Sequence, residues 1–227
     1  MTTGFSFNWH DLRLEARCSG ALWMPALRWL VVSDLHLGKS ERMARRGGAL
    51  LPPYESAETL GRLSDEIDEL NPDVVISLGD SFDDDAAARG LDPAEVDTLA
   101  GLARGRTLVW VAGNHDPAAG SVPGVAVAAK MAGTVTLRHE AKGEGPDISG
   151  HYHPALRLAG ARRKAFLVGS SHLIMPAFGK YTGGLDADTP ALAQWVNGGF
   201  GVVCVHRALP VPLTAPARPK RMRLTNR

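Results

Sequence analysis

Five short stretches of the sequence carry side chains able to hold a divalent cation or move a proton. They are Asp34-Leu35-His36, Gly79-Asp80, Gly113-Asn114-His115-Asp116, His139, and Gly150-His151-Tyr152-His153. Singly, each is a weak signal. An Asp after a strand is more often a helix cap, a lone His more often a hydrogen-bonded residue, and Gly-Asn-His-Asp suits an ordinary turn. In order they read D-x-H, G-D, G-N-H-D, H, G-H-x-H, and chance does not produce that series readily. The donors are imidazoles, carboxylates and one amide, without a thiolate. Such a set excludes a soft structural zinc site and suits Mn²⁺, Fe²⁺ or Zn²⁺. About seven ligands over-supply one ion but serve two that share a bridging carboxylate. Two such ions polarise a phosphoryl group and generate hydroxide near neutral pH.

Something must bring these stretches together, and the apolar pattern says what. Arg28–Ser33, Val74–Leu78 and Thr107–Ala112 read as buried strands, and each ends just before one of the first three stretches. Catalytic loops lie outside the carboxyl ends of strands in such sheets. Ala57, Leu60, Leu63, Ile67 and Leu70 recur at helical spacing, and Asn71-Pro72 stops that helix. A second helix starts at Asp92-Pro93 and runs to about Ala103. Leu12–Cys18 alternates like a half-buried strand, and from Thr134 onward the pattern is mostly β. These elements predict an α/β fold, a mixed β-sandwich flanked by helices with its active site on the loops at strand carboxyl ends.

The chain has 227 residues, 44% of them apolar and 22% charged, enough for a sizeable core in a single domain. We expect that domain to span residues 1–212, followed by a basic, disordered tail over 213–227. No apolar run reaches the ~20 residues of a membrane span, and the first residues lack a signal-peptide pattern. With only two cysteines, Cys18 and Cys204, a reduced cytoplasmic protein without a membrane partner is expected. The net charge of +1 hides a segregation: residues 51–110 hold 4 basic and 14 acidic side chains, residues 161–227 hold 10 and 2. The acidic block reads as a solvated helix face (Glu58, Asp65, Glu66, Asp68 and Glu69). Arg162, Arg163, Lys164 and the tail's Arg218, Lys220, Arg221 and Arg223 could contact phosphates.

The motifs SDLHLGK, LGDSFDD, GNHD, RHE and SGHYHP together resemble the calcineurin-like metallophosphoesterase superfamily. Within it, HLGK, GDSF and the later PAFGKYTGGL (Pro176 to Leu185) are most similar to the ligase-associated DNA-damage-response endonucleases, the PdeM type. The resemblance implies that Asp34, His36 and His153 hold the first metal, that Asp80 bridges both, and that Asn114, His139 and His151 hold the second. His115 would face the scissile phosphate as general acid. Asp83 is placed like the acid that orients this histidine in some branches, with Asp84 as its competitor. The PdeM type more often carries His at position 83, so this chain departs from its pattern there.

The function expected is that of a dimetal phosphodiesterase, a DNA endonuclease or end-processing nuclease of DNA repair. A hydroxide bridging two ions, Mn²⁺ above Fe²⁺ or Zn²⁺, would attack phosphorus while His115 protonates the leaving oxygen. The resemblance further implies partnership with a DNA ligase or helicase. One rival is a dimetal phosphoesterase of a small nucleotide, sugar or lipid-linked phosphate. Only 24 residues lie between Asn114 and His139 and 11 between His139 and His151, leaving no room for a cap domain. An open cleft favours a polymer. A second rival, a binding module that has lost catalysis, fits poorly with a complete ligand set.

Overall fold

A computed structural model describes residues 4–48, 50–114, 122–196 and 198–213. Seven strands form the first sheet in sequence order: β1 (Phe5–Trp9), β2 (Leu12–Ala16), β3 (Leu22–Met24), β4 (Trp29–Val32), β5 (Val74–Leu78), β6 (Thr107–Val111) and β7 (Val125–Val127). The first four pair antiparallel; β4 to β7 run parallel. Parallel neighbours need crossover connections. Here α1 (Lys39–Arg45) and α2 (Glu55–Leu70) lie between β4 and β5, and α3 (Asp85–Arg89) and α4 (Pro93–Leu102) between β5 and β6.

The second sheet contains β8 (Lys130–Ala132), β9 (Val135–Leu137), β10 (Asp147–Ser149), β11 (Ala155–Leu158), β12 (Ala161–Val168), β13 (His172–Ile174), β14 (Phe200–Cys204) and β15 (Ala208–Pro212). Their spatial order is β15-β14-β12-β13-β10-β9-β8, with β11 beside β12. In this sheet β9, β10 and β13 are the parallel strands. A short helix, α5 (Pro190–Ala193), follows β13.

Side-chain alternation explains the layering. On β4, Val31 enters the core between the sheets while Leu30 and Val32 face the helices; on β6, Val109 and Val111 turn inward and Leu108 outward. The inner core joins Val31, Ile76 and Val109 to Ile148, Phe166 and Leu173 of the second sheet. The outer one packs Leu30, Val75 and Leu108 against Leu60, Leu63 and Ile67 of α2 and Leu99 and Leu102 of α4. On the far side, Leu192 of α5 covers Leu167 and Ile174. The chain thus forms the expected mixed α/β sandwich flanked by helices.

Local chemistry sets the helix ends. Asp92 and Glu95 form a reciprocal capping box at α4 with Pro93 in its first turn. Asn71, left-handed at φ 44°, ends α2 before Pro72. The acidic face of α2 departs from expectation. Glu66 is buried, and with Glu69 and Glu15 it surrounds the buried Arg17 at 2.7–2.8 Å. A guanidinium taken out of water requires such partners. Among the described residues, no helix is long and apolar enough to cross a membrane. The expected basic tail lies outside the described residues from position 214 onward.

Candidate metal centre

The parallel parts of both sheets deliver their carboxyl ends to one seam. Asp34 follows β4, Asp80 follows β5, Asn114 follows β6, His139 follows β9, and His151 and His153 follow β10. Backbone bonds lock the loops to one another: Asp34 N donates to Gly79 O, His36 N to Asp80 O, and Gly150 N to His139 O. The side chains gather in two groups, Asp34 with His36 and His153, and Asp80 with His139 and His151. In each group, one potential ligand atom per residue lies within 4.8 Å of the others. Asn114 borders the second group, its amide nitrogen 3.4 Å from His151 Nδ1. His115 lies outside the described residues.

Five of these six clustered residues are left-handed: Asp34 (φ 52°), His36 (47°), Asp80 (46°), His151 (67°) and His153 (47°). For a non-glycine residue this costs on the order of 1–3 kcal/mol and persists only where the surroundings over-determine it. Here the left-handed residues lie in the loops that follow β4, β5 and β10. Close packing constrains these loops further. A Cβ on Gly150 would collide with Asp34 Oδ2, and one on Gly113 with the Asp80 backbone N and, at 2.6 Å, its Oδ1. Gly150→Ala is therefore expected to weaken divalent-ion binding by about 10–100-fold, the range seen when ligand-supporting contacts are lost, as read by calorimetric titration.

Hydrogen bonds fix which ring nitrogens face the seam. His139 Nδ1 is 2.9 Å from Leu78 O. A carbonyl can only accept, so Nδ1 carries the proton and Nε2 is left with its lone pair. That Nε2 lies 3.1 Å from His151 Nδ1 and 3.6 Å from Asp80 Oδ2. Asp34 is fully buried and accepts from the His151 backbone N at 3.0 and 3.2 Å. Burial pushes its carboxyl up, but contact with His153 and the nearby rings of His139 and His36 hold it below its ordinary value.

Three ring nitrogens of the first group are buried without an aligned hydrogen-bond partner, among them His36 Nδ1, which is 2.9 Å from Asp83 Oδ1. The other two are His36 Nε2 and His153 Nε2; His153 Nε2 is 3.2 Å from Asp34 Oδ1 but out of hydrogen-bond alignment. Buried polar atoms lacking partners are costly. A cation between the two Nε2 atoms and the Asp34 carboxylate removes that cost, so these residues fit a divalent ion. The second group, an aspartate and two imidazoles beside an amide, has the same hard-to-borderline donor character.

Asp83 was expected to orient His115, which lies outside the described residues. Its described partners are His36 Nδ1 at 2.9 Å, Arg42 Nη1 at 2.7 Å and Lys39 Nζ at 3.7 Å. It is buried. Its rival Asp84 caps α3 through Ala87 N and binds Arg45. The basic side chains of α1 and its C-cap are therefore tied to these two carboxylates, with Arg45 and Arg46 still exposed. His172 stays out of the centre, bound to Asp147 at 3.0 Å. Glu140, not singled out from the sequence, approaches His151 Nε2 at 3.9 Å; its adjacency to His139 was the one available signal.

The segment from Pro176 to Leu185 lines the same seam. Phe178 N and Gly179 N donate to Ser33 O and Asp34 O. Lys164 holds it by donating to Ala177 O at 2.7 Å and Gly179 O at 2.6 Å, and Arg62 by donating to Phe178 O. Burial, then the nearby Arg62 charge, lowers the Lys164 ammonium to about 8. Arg162 binds Asp186 and Gly184 O. Of the three basic residues expected to meet phosphates here, only Arg163 is exposed without such a tie; Arg157, on the paired strand, is exposed too, 3.6 Å from Asp186.

Comparison with known proteins bears on this arrangement. The family described as calcineurin-like phosphoesterase matches residues 27–216. The chain is similar to the crystal structure of Pseudomonas putida nuclease MPE, at 27% identity and a TM-score of 0.73, over 92% of this chain and 100% of that one. A weaker likeness links it to Yfce, a phosphoesterase from E. coli, at 15% identity and a TM-score of 0.39, over 77% of this chain and 87% of the other. No curated protein matches.

Proposed function

The chain belongs to the calcineurin-like phosphoesterase family, metal-dependent phosphoester hydrolases, and we propose that it hydrolyses phosphodiester bonds in DNA as an endonuclease or end-processing nuclease of repair. The observation that carries this reading is the pair of adjoining carboxylate–histidine groups. The likeness to a nuclease over nearly the whole chain supports the choice of substrate.

Asp34, His36 and His153 would hold one ion, and Asn114, His139 and His151 the other, with Asp80 shared. Divalent ions there, manganese first among the candidates, would supply Lewis acidity toward a phosphoryl group and toward water. The chain's own contribution is preorganisation. Asp34 fixes the His151 backbone, Leu78 O sets the His139 tautomer, and the left-handed turns hold the donors without further rearrangement. His115 gives its proton to the departing oxygen. Arg157 and Arg163, both exposed on the β11–β12 hairpin, offer contacts to backbone phosphates, an attraction that weakens as salt rises.

A turnover assay with manganese-loaded protein tests the substrate. Single- and double-stranded DNA, a phosphodiester and a phosphomonoester are compared at low salt. Cleavage of DNA and diester above monoester is expected. Good monoester turnover with intact DNA would instead identify a small-molecule phosphoesterase.

A further inference from the structure

His36 is held by a chain of charges that reaches from the buried seam to half-buried cations of α1. Asp83 lies between its two ends. One oxygen, Oδ1, is 2.9 Å from His36 Nδ1, and the other, Oδ2, accepts from Arg42 Nη1 at 2.7 Å. The carboxylate is 1% exposed, and its backbone N donates to Leu37 O. Lys39 adds a second cation at 3.7 Å. The His36 contact is short but off the axis of an ideal N–H donor. Even so, a carboxylate at that distance is met by a protonated nitrogen and not by a lone pair. Nδ1 therefore keeps the proton, and the orphaned Nε2 presents its lone pair to the seam.

We infer that Asp83 is a positioning residue for His36, fixing its ring and tautomer for a divalent ion, and that Arg42 holds Asp83 in that position. The inference rests on the two-ion reading above. It differs from the expectation that Asp83 orients His115. Arg42 satisfies the Asp83 oxygen that His36 leaves free, so Asp83 has no reason to rotate away from the ring. Carboxylates that support a ligating histidine typically contribute 10–100-fold to metal affinity.

The test is calorimetric titration of the metal-free full chain with Mn²⁺, for wild type, Asp83→Ala, Asp83→Asn and Asp83→Asn/Arg42→Ala, with the thermal midpoint of each metal-free protein. No substrate is present, so phosphate contacts of Arg42 do not enter. Asp83→Ala should weaken one of two binding steps by about 10–100-fold and leave the other within about threefold. In Asp83→Asn the amide can turn its oxygen to His36 only by turning its NH₂ toward Arg42, so affinity should fall as well. Removing Arg42 relieves that conflict, and the double variant should bind the weakened ion more tightly than Asp83→Asn does. A merely structural Asp83 would lower the thermal midpoint and leave both binding steps alone, which overturns the proposal. So does a double variant no tighter than Asp83→Asn. A wild-type chain that takes up fewer than two ions overturns the two-ion reading itself, and this inference with it.

Discussion

Asp80→Ala is expected to lower kcat/KM by at least about 10³-fold, equivalent to about 4 kcal/mol of lost transition-state stabilisation, while the protein stays folded. Asp80 is buried at the end of β5, and its Oδ2 lies 3.6 Å from His139 Nε2. Its backbone O accepts from His36 N, so this one residue touches both ligand groups. Removing the carboxylate leaves His139 and His151 without an anionic partner in their group and, on the proposed reading, deprives the centre of its shared donor. The backbone bonds around position 80 do not depend on the side chain, so circular dichroism should be nearly unchanged. Metal analysis after manganese loading should show that at least one ion is lost.

His115→Ala should separate metal binding from chemistry. The family pattern gives His115 no ligand duty, so both ions should remain. The loss should fall on kcat, by about 10²–10⁴-fold for an alkoxide leaving group, the usual contribution of a positioned acid. A nitrophenolate departs without help and should suffer far less. Comparing a dinucleotide with a nitrophenyl diester therefore checks the role. Equal losses on both substrates, or metal loss matching that of Asp80→Ala, would contradict it.

The contrast between these residues shows what sequence can and cannot reveal. The strands before Asp34, Asp80 and Asn114 were legible because they are apolar runs buried on both faces, with Val31 facing one core and Leu30 and Val32 the other. The helix α2 was legible from its apolar spacing and its Asn71-Pro72 stop. The chemistry of the ligands was legible from residue type and order. Their left-handed backbone was not, because Asp and His tolerate that region better than most residues yet adopt it only at a minority of positions. Gly113 suited an ordinary turn, whereas the space beside it is filled by Asp80, as the space beside Gly150 is by Asp34.

Partners distant in sequence were the least legible. Nothing in the spacing of Asp83 from Asp80 showed that its carboxylate meets His36 and Arg42, 47 and 41 positions away. Glu66 read as one more charge on a solvated helix, yet Arg17 of the neighbouring sheet region buries it. Lys164 read as part of a phosphate-seeking cluster, but its ammonium is consumed by two carbonyls. Charge counts locate such residues; only the fold tells which cations remain available. Short strands such as β3 and β7 left no signal of their own, since three residues are too few to show alternation.

The most direct test of a two-ion phosphoesterase centre is a stoichiometric metal titration followed in parallel by binding and by turnover. Metal-free protein is titrated with Mn²⁺ while uptake per chain and hydrolysis of a phosphodiester are recorded together. Uptake should reach two ions per chain, with full turnover appearing only as the second equivalent binds, and Asp80→Ala should reach neither. Full turnover with one ion bound, or with none, would contradict the account.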